Sequence, residues 1–541
     1  LREDLPAIAF ATHTPTPSLP AAQRSRSGAL AVAAGILLSR LAGLVRERAI
    51  AHYLGISSAA DAFRAALRIP NLLQNLLGEG VLSASFIPVY ARLLAEERAA
   101  DASRVARAIG TLLVLVASAT ALLGVWAARP LVTLLAPGFA ADTLELTVRL
   151  VQILFPGVAL LVLSAWCLGV LNSHRRFFLS YASPVLWNTA LIASVIVAGR
   201  RFAGQDFEIA IWLAWGAVLG SAAQLLVQVP TVIGLLRSLK PSLALRDAGV
   251  QTTLRAFGPV LLGRGSVQLS GYVDQVLASY LGEGIVAAMS NAQTLYLLPV
   301  SLFGMAVSAA ELPEMSGGTG DASARAEHLH KRLHPALRRV VFLVVPSAVA
   351  FVTIGGSIVT LLFQSGRFSA RDTTSVWIVL AGSALGLSAG TQGRLLASAF
   401  YALGETTPPL RASLVRVAIT ALIGWAVALP LRAAFGYAPV WGAFGLTASA
   451  GFAAWIEFML LRRQLAARIG PVPIPVALAF GALSAAIAAG VAGYGAARWL
   501  EQRGAASWLA ACFAIGMFGA VYLTAMTVAR VPEARGFLRR R

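Results

Sequence analysis

Charge is what this sequence has least of. Only 13% of its 541 residues are Asp, Glu, Lys or Arg, whereas a soluble globular chain carries about a quarter. A fold kept in solution by a charged surface is thereby excluded. Acid is scarcer than base, 24 residues against 44, giving a net charge of +20. Cysteine occurs twice, as Cys167 and Cys512, each within an apolar run. That excludes a disulfide framework and a cysteine metal site. No Walker motif is present, so the chain has no P-loop of its own. The six histidines are scattered, apart from His328, His330 and His334 in HLHKRLH. That segment reads as a solvated basic loop and not as a metal site. The first 28 residues lack the uninterrupted apolar core of a signal peptide.

Apolar sequence is what remains. Hydrophobic residues make up 57% of the chain, and mean hydropathy is +0.74. Apolar runs of about 20 residues recur, each long enough to cross a hydrocarbon layer of roughly 30 Å as a helix. They do not alternate as barrel strands would, and helices satisfy their own backbone in lipid. The pattern predicts an all-α polytopic membrane protein of about fourteen helices, at 29–54, 58–95, 103–134, 142–172, 178–200, 207–237, 250–281, 285–312, 336–363, 372–402, 408–432, 439–466, 474–498 and 506–529. The second contains Pro70, Gly78 and Gly80 and is expected to bend. Residues 1–28 read as a disordered cytoplasmic extension.

Most Lys and Arg fall in alternate loops, among them Arg98, Arg175, Arg176, Lys240, Lys331, Arg332, Arg462 and Arg463. The positive-inside rule then puts both termini in the cytoplasm. Basic loops that meet anionic membrane lipid also account for the net charge without nucleic acid. AIAHYLG (49–55) is echoed by VLASYLG (276–282), and LSASFIP (82–88) by VSAAELP (307–313). The offset of six helices predicts two parallel bundles framing a central site. The expected lobes are 29–240 and 241–470, with two more helices and a basic tail over 471–541.

Ionisable residues inside apolar helices demand a reason, because a charge at mid-bilayer is costly. The first helix holds Arg40, Arg46, Glu47 and Arg48, of which Arg48 is placed to snorkel. In the second, Asp61, Arg64, Arg68, Asn71, Asn75 and Glu79 follow helical spacing and form one polar stripe. A stripe of this kind either lines a wet cavity or glues helices through ion pairs. Arg264, Gln268, Gly271 and Gln275 repeat the pattern in the seventh helix, with Asp274 beside them. Arg394 and Gln392 interrupt the tenth, and Glu457, near an end of the twelfth, reads as local. Arginine outnumbers acid among these residues. Guanidinium binds phosphate bidentately and stays charged, so a diphosphate suits such a site.

SRLAGLVRERAIAHYLG (39–55), DAFRAALRIPNLLQNLLGEGVLSASFIPVY (61–90), APGF (136–139), LNSHRRFFLSYASPVLWN (171–188) and FYALGETTPP (400–409) resemble the MurJ/MviN family, in order, within about residues 29–470. The resemblance implies a lipid II flippase of the cytoplasmic membrane in peptidoglycan synthesis, working by alternating access, with no cofactor. It implies lipid II or a similar undecaprenyl-diphosphate glycolipid as partner, a monomer, and a groove for the lipid tail at the last two helices. An exporter of another polyprenyl-diphosphate glycan and a non-transporting scaffold for cell-wall synthesis enzymes are the alternatives. By resemblance, Arg40 and Arg46 match cavity arginines. Glu47, Asp61 and Glu79 match acidic positions, Asn71 the motif asparagine and Arg394 a basic position. Gln74 and Thr294 stand where relatives place arginine; Arg64 and Arg264 are the expected substitutes. The eleventh helix lacks the Asn and Asp of a sodium site found in some relatives, so no bound sodium is expected.

Overall fold

A computed structural model describes residues 26–236, 238, 240–305, 307–308, 311, 315, 322–472 and 474–539. Among them every regular element is helical. The first half runs α1 (Arg26–Leu54), α2 (Ser58–Leu77), α3 (Glu79–Ser85), α4 (Ile87–Ala95), α5 (Ala99–Trp126), α6 (Ala128–Leu135), α7 (Ala141–Ser173), α8 (Phe177–Arg201) and α9 (Asp206–Leu236). The second runs α10 (Ala248–Ser279), α11 (Ile285–Pro299), α12 (Ala322–Thr353), α13 (Gly355–Phe363), α14 (Ala370–Ala384), α15 (Leu387–Ala402), α16 (Thr407–Ala426), α17 (Arg432–Phe435) and α18 (Pro439–Ile469). The chain ends in α19 (Val476–Gln502), α20 (Ser507–Val528) and α21 (Pro532–Arg539).

Among the described residues, 11 helices are long and apolar enough to cross a membrane, or 12 if α14 and α15, bent by 45°, make one span. α1 and α10, at 29 and 32 residues, are as long but are not counted among these spans. The chain is a multi-pass membrane protein, and its outward faces agree. Leu122, Trp126, Leu422 and Val491 stand 73%, 84%, 67% and 67% exposed, as lipid-facing side chains do.

The structure refines several expected elements. The second helix breaks at Gly78 and not at Pro70, which stays inside α2. Gly78 has ψ −139°, and a Cβ there would meet the Gln74 carbonyl oxygen at 2.3 Å. HLHKRLH is no loop: α12 begins at Ala322 and carries it as helix, with His330 Nε2 2.8 Å from the Pro471 carbonyl oxygen. Residues 1–25 lie outside the described residues. Glu457 is bonded to another helix, accepting from Arg416 of α16 at 3.0 Å.

The buried apolar residues gather by lobe. Two clusters draw almost wholly on residues 50–250 and one on 277–472. A fourth joins α12 and α13 to α19 and α20. Helices cross closely where side chains vanish. At the junction of α14 and α15, a Cβ on Gly386 would meet the Gly451 Cα of α18 at 2.4 Å.

Candidate functional site

The repeated motifs build one end of the site. Both YLG sequences finish their helices on a glycine in the left-handed region, Gly55 at φ +58° and Gly282 at φ +108°. The helices that follow, α2 and α11, then point their N-termini at the opposite lobe. Asp61 caps α11: its Oδ2 accepts from Gly284 N and its Oδ1 from Ala287 N, each at 2.6 Å. Glu283 returns the contact, accepting from Ser58 N at 3.0 Å. Around this reciprocal clasp lie His52 Nδ1 with Ser365 Oγ (3.1 Å), Arg367 with Asp206 (2.6 Å), Gly138 N with Ser279 Oγ (3.1 Å) and Arg48 with the Leu361 carbonyl (2.7 Å). This end of the interlobe space is stitched shut.

Beyond the clasp lies a cavity of about 650 Å³ between the lobes. α1 gives it Arg46 and Glu47, and α2 gives it Arg64, Arg68, Asn71, Gln74 and Asn75. From Arg64 to Asn75 the helix rises about 16 Å, so the polar stripe runs the depth of the chamber. Glu47, buried, is shared by two guanidiniums. Arg46 bonds its Oε1 at 2.5 and 3.1 Å, and Arg64 is ion-paired to its Oε2. Arg46 also donates to Asn188 Oδ1 at 2.9 Å and stacks on Trp187, 4.9 Å from the ring centre. Arg64 reaches across to Asn291 Oδ1 of the other lobe at 3.2 Å. Arg68 donates to the Gly271 carbonyl of α10, and Tyr272 OH donates back to the Arg68 carbonyl at 3.0 Å. Among the described residues, then, three guanidiniums face this cavity and one carboxylate pairs directly with two of them.

The other expected site residues fall elsewhere. Asp61 is consumed by the clasp. Arg40 is exposed on α1 and does not line the cavity. Arg394 is likewise exposed on α15 and away from the cavity wall. Asp274 sits behind the wall: its Oδ1 is buried without a hydrogen bond, in the field of Arg68 and Arg416. The side chains of Glu79, Arg264 and Gln268 lie outside the described residues. Thr294 is turned to its own helix, donating to the Ser290 carbonyl at 3.0 Å.

Sequence reasoning passed over the uncharged lining: Ser164, Trp187, Gln224, Tyr272, Ser290 and Gln293. An isolated amide or hydroxyl in an apolar helix raises no alarm as an arginine does. Its signal is weaker, namely a polar side chain at helical spacing from another, as with Gln224 and Gln228.

Comparison with known proteins follows the same lines. The family profile described as "Lipid II flippase MurJ" matches residues 50–519. The chain is 31% identical over 440 residues to "Lipid II flippase MurJ" of Burkholderia cenocepacia, covering 80% of this chain and 82% of that protein. It is 31% identical over 404 residues to "Probable lipid II flippase MurJ" of Rhizobium tropici, covering 73% and 74%. In fold it is similar to a solved "Lipid II flippase MurJ, inward closed conformation", with TM-score 0.73, 20% identity, and 94% and 100% of the chains covered. It is also similar to an inward-facing multidrug resistance transporter of the MATE family in the MOP superfamily, with TM-score 0.63, 19% identity, and 81% and 98% covered. Sequence match over most of its length, two helical lobes and a basic chamber between them agree: this chain belongs to the lipid II flippase MurJ family.

Proposed function

We propose that this protein is a flippase that carries lipid II from the inner to the outer leaflet of the bacterial inner membrane. The observation that carries this reading is the surplus of guanidinium in the interlobe cavity. Among the described residues, Arg46 and Arg64 share the one directly paired carboxylate, Glu47, while Arg68 lines the same cavity with no carboxylate of its own. A water-filled chamber lined this way attracts a dianion and holds it bidentately. The diphosphate of the lipid headgroup fits that demand, while Asn71, Gln74 and Asn75 supply neutral bonds along its path.

Lobes 29–240 and 241–470 rock about the chamber, and α19 and α20 pack against α12 of the second lobe. With both termini inside, the clasp of Asp61 and Glu283 faces outward, so the structure is shut on the outer side. Docked diphosphate neutralises the guanidiniums and lets the lobes close beneath it, after which the clasp opens. Such a coupling needs differential affinity of the ligand for the two states. Arg68 stands on the interlobe contact itself, bonded to Gly271 of the facing lobe. A ligand that takes this guanidinium must release that bond.

The test is complementation of a flippase-depleted strain. The wild-type gene is expected to restore growth and the Arg68→Ala gene to fail at equal membrane abundance. Growth that survives replacement of all three cavity arginines contradicts the proposal.

A further inference from the structure

A hydrogen-bonded relay runs behind the first-lobe wall of the cavity, and its direction is fixed. Ser183 Oγ donates to the Ser180 carbonyl at 3.2 Å. A carbonyl only accepts, so the Ser183 hydroxyl proton is committed there. Ser183 therefore accepts from Gln228 Nε2, at 2.5 Å. Gln228 is fully buried, and its Oε1 accepts from Ser164 Oγ at 2.9 Å. Ser164, its proton spent, accepts from Gln224 Nε2 at 2.9 Å. Each step leaves one choice for the next. The last leaves Gln224 with its amide nitrogen turned into the wall and its Oε1 free.

Gln224 lines the cavity. Its Oε1 accepts no hydrogen bond from the described protein, and it is not among the oxygens sealed from solvent. Four side chains from three helices thus hold one uncharged acceptor toward the ligand space. Buried amides cost free energy to desolvate unless bonded. A relay whose only product is a fixed acceptor is an arrangement for binding a donor.

Phosphate oxygens at neutral pH are acceptors and do not suit this position. Ser164 and Ala165 lie at the level of Gly78, whose added Cβ would come within 3.5 Å of the Ala165 Cβ. That level is ten residues past Arg68, about 15 Å along α2. A ligand with its diphosphate at Arg68 meets Gln224 through an extended neutral portion.

Resting on the diphosphate reading above, we infer that Gln224 is a specificity-determining residue, which accepts a hydrogen bond from a hydroxyl or amide N–H of the saccharide joined to the diphosphate. Ser164, Gln228 and Ser183 are positioning residues that fix its orientation.

The experiment compares two probes on the full-length protein in nanodiscs: lipid II, and undecaprenyl diphosphate without sugar. Gln224→Met keeps the volume and removes the acceptor. Its dissociation constant for lipid II is expected to rise about 10-fold, the scale of one neutral hydrogen bond lost with its partner left unpaired. Its affinity for undecaprenyl diphosphate is expected to stay at the wild-type value, which also shows that the cavity is intact. Ser183→Ala frees the relay to reverse and is expected to lose part of the same preference. Equal affinities of Gln224→Met and wild type for lipid II overturn the inference, as does an equal loss for both probes. Failure of the wild-type protein to bind either probe overturns the diphosphate reading itself, and the inference with it.

Discussion

Replacing Asp61 by Asn should loosen the clasp between the lobes without disturbing the cavity. Both carboxylate oxygens accept a backbone N–H of the α11 N-terminus, at 2.6 Å each, and the side chain is only 1% exposed. Asparagine keeps one acceptor and sets its NH₂ group against the second N–H. The variant loses one charge-assisted bond, worth about 1.5–3 kcal/mol. It also loses a favourable charge at a helix N-terminus, worth about 0.3–2 kcal/mol. A combined loss of about 2–5 kcal/mol moves the shut-to-open ratio by roughly 30- to 4000-fold. Glu283 offers no substitute, because its single bond to Ser58 N is exposed.

The assay is a double electron–electron resonance distance between spin labels at Gln205→Cys and Ala370→Cys. The Arg367–Asp206 ion pair holds these neighbours together across the seam. Cys167 and Cys512 are the only native cysteines and are replaced first. The parent is expected to give one short distance, and Asp61→Asn a second, longer population. A distribution unchanged by Asp61→Asn would refute the assignment of this end as a clasp.

Other perturbations have equally definite outcomes. Glu47→Gln strands Arg46 and Arg64 in a buried site, and removing one partner of such a pair costs about 3–5 kcal/mol. The thermal unfolding midpoint in detergent should fall clearly, and an unshifted midpoint contradicts the shared pairing. Gly386→Leu should fail to insert stably, because a Cβ there meets backbone at 2.4 Å, whereas Gly393→Ala, with nothing within 4 Å, should be tolerated; equal expression of both would refute the close crossing. At the C-terminal helix α21, burial would raise the Glu533 carboxyl. The Arg338 guanidinium, bonding both oxygens at 2.6 and 3.1 Å, more than offsets this and holds it below its ordinary 4.5. A depressed carboxyl contributes stability that is present above pH 4.5 and lost as pH falls through the lower folded value. Hydrogen exchange over 532–539, taken relative to the intrinsic rate at each pH, should therefore quicken on acidification in the parent. In Glu533→Gln it should be fast throughout, by about 1 kcal/mol of lost protection.

The helices and the chamber were legible for the same reason: both follow from the cost of polarity in lipid. Apolar runs located most spans within a few residues, and the stripe of Arg64, Arg68, Asn71 and Asn75 named one wall of the cavity. Spacing along one helix says which side chains share a face. It does not say what lies opposite. Asp61 belongs to the stripe by periodicity, yet one end of the stripe meets the N-terminus of α11 and becomes structural. Arg40 shares a face with Glu47 on paper, but the cavity ends before it. The break at Gly78 and the long α12 turn on local backbone geometry that hydropathy does not register. The neutral wall of Ser164 and Gln224 escaped because its members cost too little, singly, to stand out.

The central claim is that the cavity arginines receive the diphosphate that is moved. Its most direct test is lipid II translocation in reconstituted vesicles, read as the fraction of a headgroup-labelled lipid that becomes accessible to an impermeant reagent. The account predicts transport by the wild-type protein and none by the Arg46→Gln, Arg64→Gln, Arg68→Gln variant, with both folded and equally inserted. Transport by the triple variant at the wild-type rate would contradict it.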